Sequence, residues 1–551
     1  MRHTVFSSLA IRGAHGQQHG EGQQPGGQHA PPEGVQQPEA GEADDGLLSV
    51  MDGLRAQFAR NPLPGTMRPM PRPAESAPVA SQAFDFRKHG HAMVDWIADY
   101  LEGIERHPVQ PAVAPGWVRA QLPEAPPEAG EPWDRIAADV DRVVVPAITH
   151  WQHPGFFGYF PANASGPSIL GELLSAGLGV QGMLWSTFPA CTELETHVMD
   201  WMCGMLGLPA HFMSSGTGGG VIQDTASSAT LCAVVAARER ATGFAGTGPG
   251  LQAADGAGPL VAYASADAHS SIEKDLRIAG LGAANLRQVP VRGDRSMDPD
   301  AFASAVRDDL RAGRRPFLCV AAVGTTSTHA VDPVRALAAT CSAHGLWLHV
   351  DAAHLGIAAL CPEFRAIHDG VELADSYCTN PHKWMLVNFD CDAFWVRDRA
   401  TLVRALSVLP EYLRNAATEG GKVIDYRDWQ VPLGRRFRAL KLWFTIRHFG
   451  VRGLRDLVRR HVALAGALRA RVAAEPSLEP VCPTPWSLVC LRHRDGDAAT
   501  QAIIDRVNGS GSAFVSHTRV DGRLVMRVSV GAPSVEARHL DALWGLIRGG
   551  R

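Results

Sequence analysis

Lysine is scarce in this sequence: only Lys88, Lys274, Lys383, Lys422 and Lys441 occur among 52 basic residues. Any lysine chemistry must come from that short set. Lys383 stands between His382 and Trp384 in YCTNPHKWMLVNFDCDAFWV, flanked by apolar strands. Burial there favours the neutral, nucleophilic amine, the form that Schiff-base chemistry requires. The alternative is a lysine whose stem covers apolar surface while its head stays in water. That use carries less weight in a chain that gives its surface to arginine. Thirty-two residues earlier, LWLHVDAAH ends in Asp351 and two alanines, a carboxylate at a strand end where something flat can approach the backbone. Capping a following turn is the other common use of such an Asp.

Two further stretches complete a set. MSSGTGGGVIQDTASSATLCAVVAAR reads as a Gly-rich turn, then small hydroxyl residues, then a helix. Backbone amides and hydroxyls at a helix N-terminus suit a phosphate. The lysine-bearing Walker pattern is missing, so a nucleoside triphosphate is not indicated. SADAHSSIEK sets His269 at a strand end comparable to that of Asp351. A phosphate site, a carboxylate for a ring nitrogen, a lysine for an aldehyde and a flat imidazole to stack are together the needs of pyridoxal phosphate. The GxGxxG formed by Gly177, Gly179 and Gly182 follows no strand and has no ribose-binding acid, so it reads as chance.

These residues need elements to hold them. PLVAYASADAH, PFLCVAAVGTT, LWLHVDAAH and DAFWVRD read as buried strands alternating with helical stretches from about residue 165 to 440. That pattern predicts a mostly parallel sheet covered by helices, with ligands at the strands' carboxyl ends. The expected division is a low-complexity disordered tail and linker over 1–80, an N-terminal helical segment over 81–165, a large α/β domain over 166–440 and a small α+β domain over 441–551. Within the tail, Leu47–Phe58 could form a short helix. In the N-terminal segment Met93, Trp96, Ile97 and Tyr100 fall at helical spacing.

Composition bounds the function. Apolar residues make up 45%, charged residues 20%, and the net charge is −4, so no basic face for nucleic acid is expected. No apolar run reaches the roughly 18–20 residues of a membrane span. The ten cysteines form no CxxC pair, which suits a reducing cytoplasm and argues against a metal site.

The motifs THWQHPGFFGYFP, PACTELETHVMDWM, HVDAAHLGIAALCPEFR, NPHKWMLVNFDC and DYRDWQVPLGRRFRALKLWF resemble those of the group II pyridoxal-phosphate decarboxylases, in the aromatic-L-amino-acid decarboxylase branch. The resemblance runs from about Phe84 into the C-terminal domain. It implies the aspartate aminotransferase-like, fold type I architecture and a homodimer with sites at the subunit interface. It implies that Lys383 holds the cofactor as an internal aldimine and that Asp351 pairs with the pyridinium nitrogen. His269 would stack on one ring face and Ala353 on the other, with Thr326 near the ring. Ala226, Ser227, Asn380 and His382 would hold the phosphate. Tyr412, in SVLPEYLRNAATEGG, matches a mobile loop that closes over the partner's site and delivers a proton to Cα. Trp151, Phe160, Pro161, Gln181, Met183 and Gly434 would bind substrate, Gln181 and Met183 across the dimer.

The implied reaction is decarboxylation of tryptophan, 5-hydroxytryptophan or DOPA, with phenylalanine and tyrosine beyond them, through an external aldimine and a quinonoid. Gly434 leaves room for a bulky ring. The nearest rival is an aromatic aldehyde synthase, in which the loop tyrosine or the stacking histidine is replaced; here Tyr412 and His269 are both present. Histidine and glutamate decarboxylation are lesser alternatives, and a catalytically silent scaffold is the alternative from another class. Four residues depart from the family pattern: Asp224 in the phosphate segment, His354 after DAA where Tyr is usual, and Gln181 and Met183 in place of more apolar and aromatic residues.

Overall fold

The computed structural model describes residues 84–251, 258–408, 423–482 and 484–549. The tail over 1–80, its short helix at 47–58, and Tyr412 lie outside the described residues.

Among the described residues, twelve strands form two sheets. β2 (Gly219–Gln223), β3 (Leu260–Ser265), β4 (Leu286–Val289), β5 (Arg315–Ala322), β6 (Trp347–Asp351), β7 (Ser376–Thr379) and β8 (Asp392–Val396) build a seven-stranded sheet in the order β2-β8-β7-β6-β5-β3-β4. Pairing is parallel from β4 through β7, and β8 runs antiparallel to both β7 and β2. The strands are apolar runs because both faces are covered. Val261 and Tyr263 enter one core while Leu260, Ala262 and Ala264 enter the other. The principal helices are α1 (Phe86–Glu102), α2 (Gly166–Leu178), α3 (Pro189–Leu206), α4 (Ala226–Thr242), α5 (Ser271–Ile278), α6 (Val334–His344) and α7 (Arg438–Ala474). α3 brings Val198, Met199 and Met202 to the first core, and α4 brings Ala229, Cys232, Ala233 and Ala236 to the second.

β1 (Phe156–Phe157), β9 (Leu478–Pro480), β10 (Leu488–His493), β11 (Phe514–Val520) and β12 (Arg523–Ser529) form the smaller sheet in the order β1-β11-β12-β10-β9. α7 joins the two cores. Leu440, Leu442 and Ile446 pack into the first core of the large sheet, Gly450 interrupts the helix at φ 62°, and Ala465, Leu468 and Val472 pack on the small sheet.

The Gly-rich stretch differs from its expected form: strand β2 lies inside it. The glycines answer to crowding. A Cβ on Gly219 would lie 2.8 Å from the Trp429 ring, and one on Gly220 would lie 2.5 Å from Trp395 Nε1. The GxGxxG is indeed no nucleotide loop. Gly177 lies within α2, Gly179 ends that helix at φ 62°, and Gly182 packs on Cys191.

Candidate active site

β3, β5, β6 and β7 end at the same edge of the large sheet, and their following links carry the chemistry. β6 delivers Asp351, whose Oδ1 accepts the Ala353 N–H at 3.0 Å. The capping use and the strand-end position thus coexist. The short helix Pro381–Trp384 after β7 carries Lys383. Its backbone is pinned on several sides: the Lys383 N–H bonds Asn380 O at 2.9 Å, and the Asn163 N–H bonds His382 O at 2.8 Å. The buried Trp384 indole donates to His461 Nδ1 of α7 at 2.9 Å. α4 opens at Ala226 with no side-chain cap from Thr225, so its first-turn amides face the same edge.

Around these ends lies a cavity of about 210 Å³. Its walls include Lys383, Asp351, His269, Ala353, Thr326, Ala226, Ser227, Asn380, His382 and Phe160. Every cofactor residue expected from the sequence is therefore in one wall. Trp151, Pro161, Gln181, Met183 and Gly434 do not line it within the single chain. Trp151 stacks on Tyr159, and Gly434 lies beside Gln181. A larger cleft of about 800 Å³, lined by Trp185, Glu193, Asp200, Arg399 and Asp428 among others, holds none of the expected residues.

Electrostatics suit the lysine. Burial is the largest influence on Lys383 and lowers its pKa, against the opposing pull of Asp351, Asp392 and Cys378. His382 is pushed down to about 3, chiefly by burial, with Lys383 adding to it. It is neutral at pH 7. Its Nδ1 accepts the Cys391 N–H at 3.0 Å, which assigns the proton to Nε2 and makes that atom a donor. His269 is likewise lowered, first by desolvation, and its Nδ1 accepts the Ser271 N–H at 3.1 Å. Asp224 turns its Oδ1 onto the Thr225 N–H at 2.7 Å and is not in the cavity wall.

His354 stands in the wall as one layer of a stack. Phe160 covers it at 4.0 Å between centroids, Trp384 lies on it at 4.7 Å, and its Nδ1 meets His329 Nε2 at 2.9 Å. Burial lowers both imidazoles, His329 to about 3, and holds them neutral. The sequence reading missed His329. It also missed Arg527, which reaches from β12 to donate to Thr326 O at 2.7 Å and Ser327 O at 3.0 Å. An arginine inside the apolar run RLVMRVSV was the available signal. Ser271, Thr325 and Phe389 also line the wall.

The residues fit pyridoxal phosphate. An amine of lowered pKa suits its aldehyde, a strand-end carboxylate its ring nitrogen, and free helix amides with the His382 donor its phosphate.

A lysine, a carboxylate and an anion cup around one cavity define a site for a phosphorylated aldehyde. The pyridoxal-dependent decarboxylase conserved domain matches residues 115–494, and the chain belongs to that family. It is 43% identical to phenylacetaldehyde synthase of Arabidopsis thaliana over 471 residues, covering 84% of this chain and 95% of that one. It is 43% identical to tryptophan decarboxylase 2 of Oryza sativa subsp. japonica over 475 residues, covering 85% and 94%. The crystal structure of Oryza sativa TDC with PLP and tryptamine superposes with a TM-score of 0.82 at 40% identity, covering 86% of this chain and 98% of the other.

Proposed function

We propose that the protein decarboxylates an aromatic L-amino acid to the arylalkylamine and carbon dioxide, with pyridoxal phosphate as cofactor. Tryptophan, 5-hydroxytryptophan and DOPA are the substrate class, with phenylalanine and tyrosine beyond them. One observation carries this reading: the desolvated Lys383 amine shares a cavity with Asp351 and an anion cup. The 43% identity to a tryptophan decarboxylase supports the aromatic substrate.

Bound pyridoxal phosphate supplies an electron sink for the bond electrons left at Cα when carbon dioxide departs. Lys383, whose pKa burial lowers, would hold the cofactor's aldehyde through its Nζ. Asp351 would pair with the ring nitrogen and favour its protonated form. His269 and Ala353 would lie against the two faces of the ring. Ala226, Ser227, Asn380 and His382 hold the phosphate. Phe160 and His354 wall the substrate end and exclude water. Tyr412 returns a proton to Cα.

A homodimer completes the site in this reading. The exposed leucines of α2, Leu170, Leu173, Leu174 and Leu178, support burial against a second copy. Trp151, Pro161, Gln181, Met183 and Gly434 then serve substrate at that interface. The division into an N-terminal dimer-forming segment over 81–165, a cofactor domain over 166–440 and a small domain over 441–551 belongs to the same reading. All ten cysteines are free, which supports a cytoplasmic setting. Among the described residues no helix is long and apolar enough to cross a membrane.

Phenylacetaldehyde synthase among the relatives keeps oxidative deamination as the second reading. The test is product analysis across aromatic amino acids, with amine, carbon dioxide and peroxide measured together. Equal amine and carbon dioxide without peroxide is expected. Stoichiometric peroxide and aldehyde would overturn simple decarboxylation.

A further inference from the structure

A carboxyl group without a partner lies behind the anion cup. Asp392 opens β8, and the strand register sets it opposite Gln223 of β2. The adjoining pair Ala393–Thr379 places it alongside Asn380, on the sheet face that carries Cys378 and Asp351. Gln223 lies three residues before Ala226, where the first turn of α4 begins. Asp392 is thus a cross-strand neighbour of both sides of the cup. It is 0% exposed, and neither of its carboxyl oxygens has a hydrogen-bond partner. Asn380 Oδ1 beside it is also buried and unpartnered.

An isolated buried carboxylate is strongly unfavourable unless it is paired. The groups that face Asp392 do not pair it. Lys383 is the one cation among them, and Asp351 on β6 and Asp224 after β2 oppose it. Tyr377 and Cys378 on β7, Cys232 on α4 and the neighbouring Cys391 have raised pKa values, and His349 on β6, beside Cys378, is lowered to about 4 by burial, so none of these brings a positive charge to Asp392. Burial, then Asp351, push the Asp392 carboxyl well above the usual carboxylate range. The position is therefore one where the acid form is the stable one.

We propose that Asp392 is held as an uncharged carboxylic acid and acts as a positioning residue for the phosphate of the cofactor. Ionised, it would add a third carboxylate beside Asp351 and Asp224 and repel a phosphate in the cup. The proton on Asp392 keeps the cup attractive. This inference rests on the reading of the cavity as a pyridoxal-phosphate site.

The test compares the full-length native protein with Asp392→Asn, a neutral mimic of the protonated acid. Dissociation constants are measured for pyridoxal phosphate and for pyridoxal, which lacks the phosphate, at pH 7 and pH 9.5. The phosphate is mostly dianionic at both, and any titration of Lys383 affects both ligands alike. The native protein is expected to lose pyridoxal phosphate affinity at least tenfold more than pyridoxal affinity on raising the pH. Asp392→Asn is expected to bind within threefold of native at pH 7 and to abolish that differential. A native profile in Asp392→Asn, no differential in the native protein, or a tenfold loss in Asp392→Asn at pH 7 confined to pyridoxal phosphate would each overturn the inference. Asp392→Ser serves if the Asn variant does not fold, with the same expected outcomes. Failure of the native protein to bind either ligand would instead strike the reading of the cavity itself.

Discussion

Gly434→Ser tests the substrate end of the site most sharply. The cost to folding can be worked from the surroundings. Gly434 has no positive φ, and a Cβ built on it meets only Gln181 Nε2, at 3.4 Å, an ordinary van der Waals distance. The backbone on either side is anchored independently. The Gly182 N–H bonds Arg435 O at 3.0 Å, and Arg435 pairs with Glu195 at 2.6 Å in a fully buried ion pair. Stability should therefore change by less than about 0.5 kcal/mol. The substrate should feel the change strongly. With Gly434 bordering the substrate ring as proposed, two added heavy atoms cost about 1–3 kcal/mol, roughly 10–200-fold in kcat/KM. The assay is amine formation from L-tryptophan and from the smaller L-histidine, with thermal melting as the control. Tryptophan should fall within that range while histidine falls less. An unchanged kcat/KM for tryptophan at an unchanged Tm would refute the reasoning, and so would equal losses on both substrates.

The same variant locates the position in the dimer. Gly434 does not line the Lys383 cavity of its own chain, so the proposed role requires a second copy. Hybrid dimers of Gly434→Ser with Lys383→Ala contain one working lysine. If Gly434 acts across the interface, that lysine faces an intact glycine, and activity on tryptophan returns to about half of native. If it acts within its own chain, the hybrid stays as impaired as the Ser variant. The second outcome would refute the cross-subunit assignment.

Lys383→Ala should lose the long-wavelength absorbance of the cofactor-loaded protein and reduce amine formation to background; absorbance spectra and product assays check both. Trp384→Phe removes the buried indole donor to His461 Nδ1 and should cost about 1–3 kcal/mol of stability by leaving that nitrogen unpartnered, read from the urea midpoint. His329 is held neutral by burial with its pKa lowered to about 3, whereas the unfolded imidazole takes its proton near pH 6.5. The native state therefore loses stability as pH falls from about 6.5 toward 3, and His329→Thr should flatten that loss by about 1.4 kcal/mol per pH unit. Urea titrations at pH 4, 5 and 6 measure the slope, and an unchanged slope would show that His329 is not neutral in the fold.

The central strands were legible because a parallel sheet buried on both faces leaves continuous apolar runs, and each of the four runs read from the sequence is a strand. β2 was not legible, because glycine serves two physical ends that composition does not separate. Gly219 and Gly220 are required by the aromatic rings of Trp429 and Trp395, yet the same letters suggested a turn. β11 escaped for a related reason. Its middle sets His517 and Arg519 on an exposed face and so breaks up what would otherwise be an apolar run.

Legibility of the site followed scarcity. Lys383 was found because arginine fills nearly every other basic position, so a lysine in apolar company had to be explained. The same logic, applied to charged residues inside apolar strands, would have reached further. Arg527, between Met526 and Val528, and Asp392, between Cys391 and Ala393, are each a charged residue set among buried apolar ones. Sequence marks both as exceptions but gives neither its sign of effect. That depends on partners brought from afar: Arg527 is satisfied by carbonyls some 200 positions away, and Asp392 is satisfied by nothing. The first ties the small sheet to the loop that carries Thr326. The second is countered among charged groups by Lys383, with Asp351 and Asp224 opposing, so the cup's affinity for an anion depends on a proton held by a group that never enters its wall.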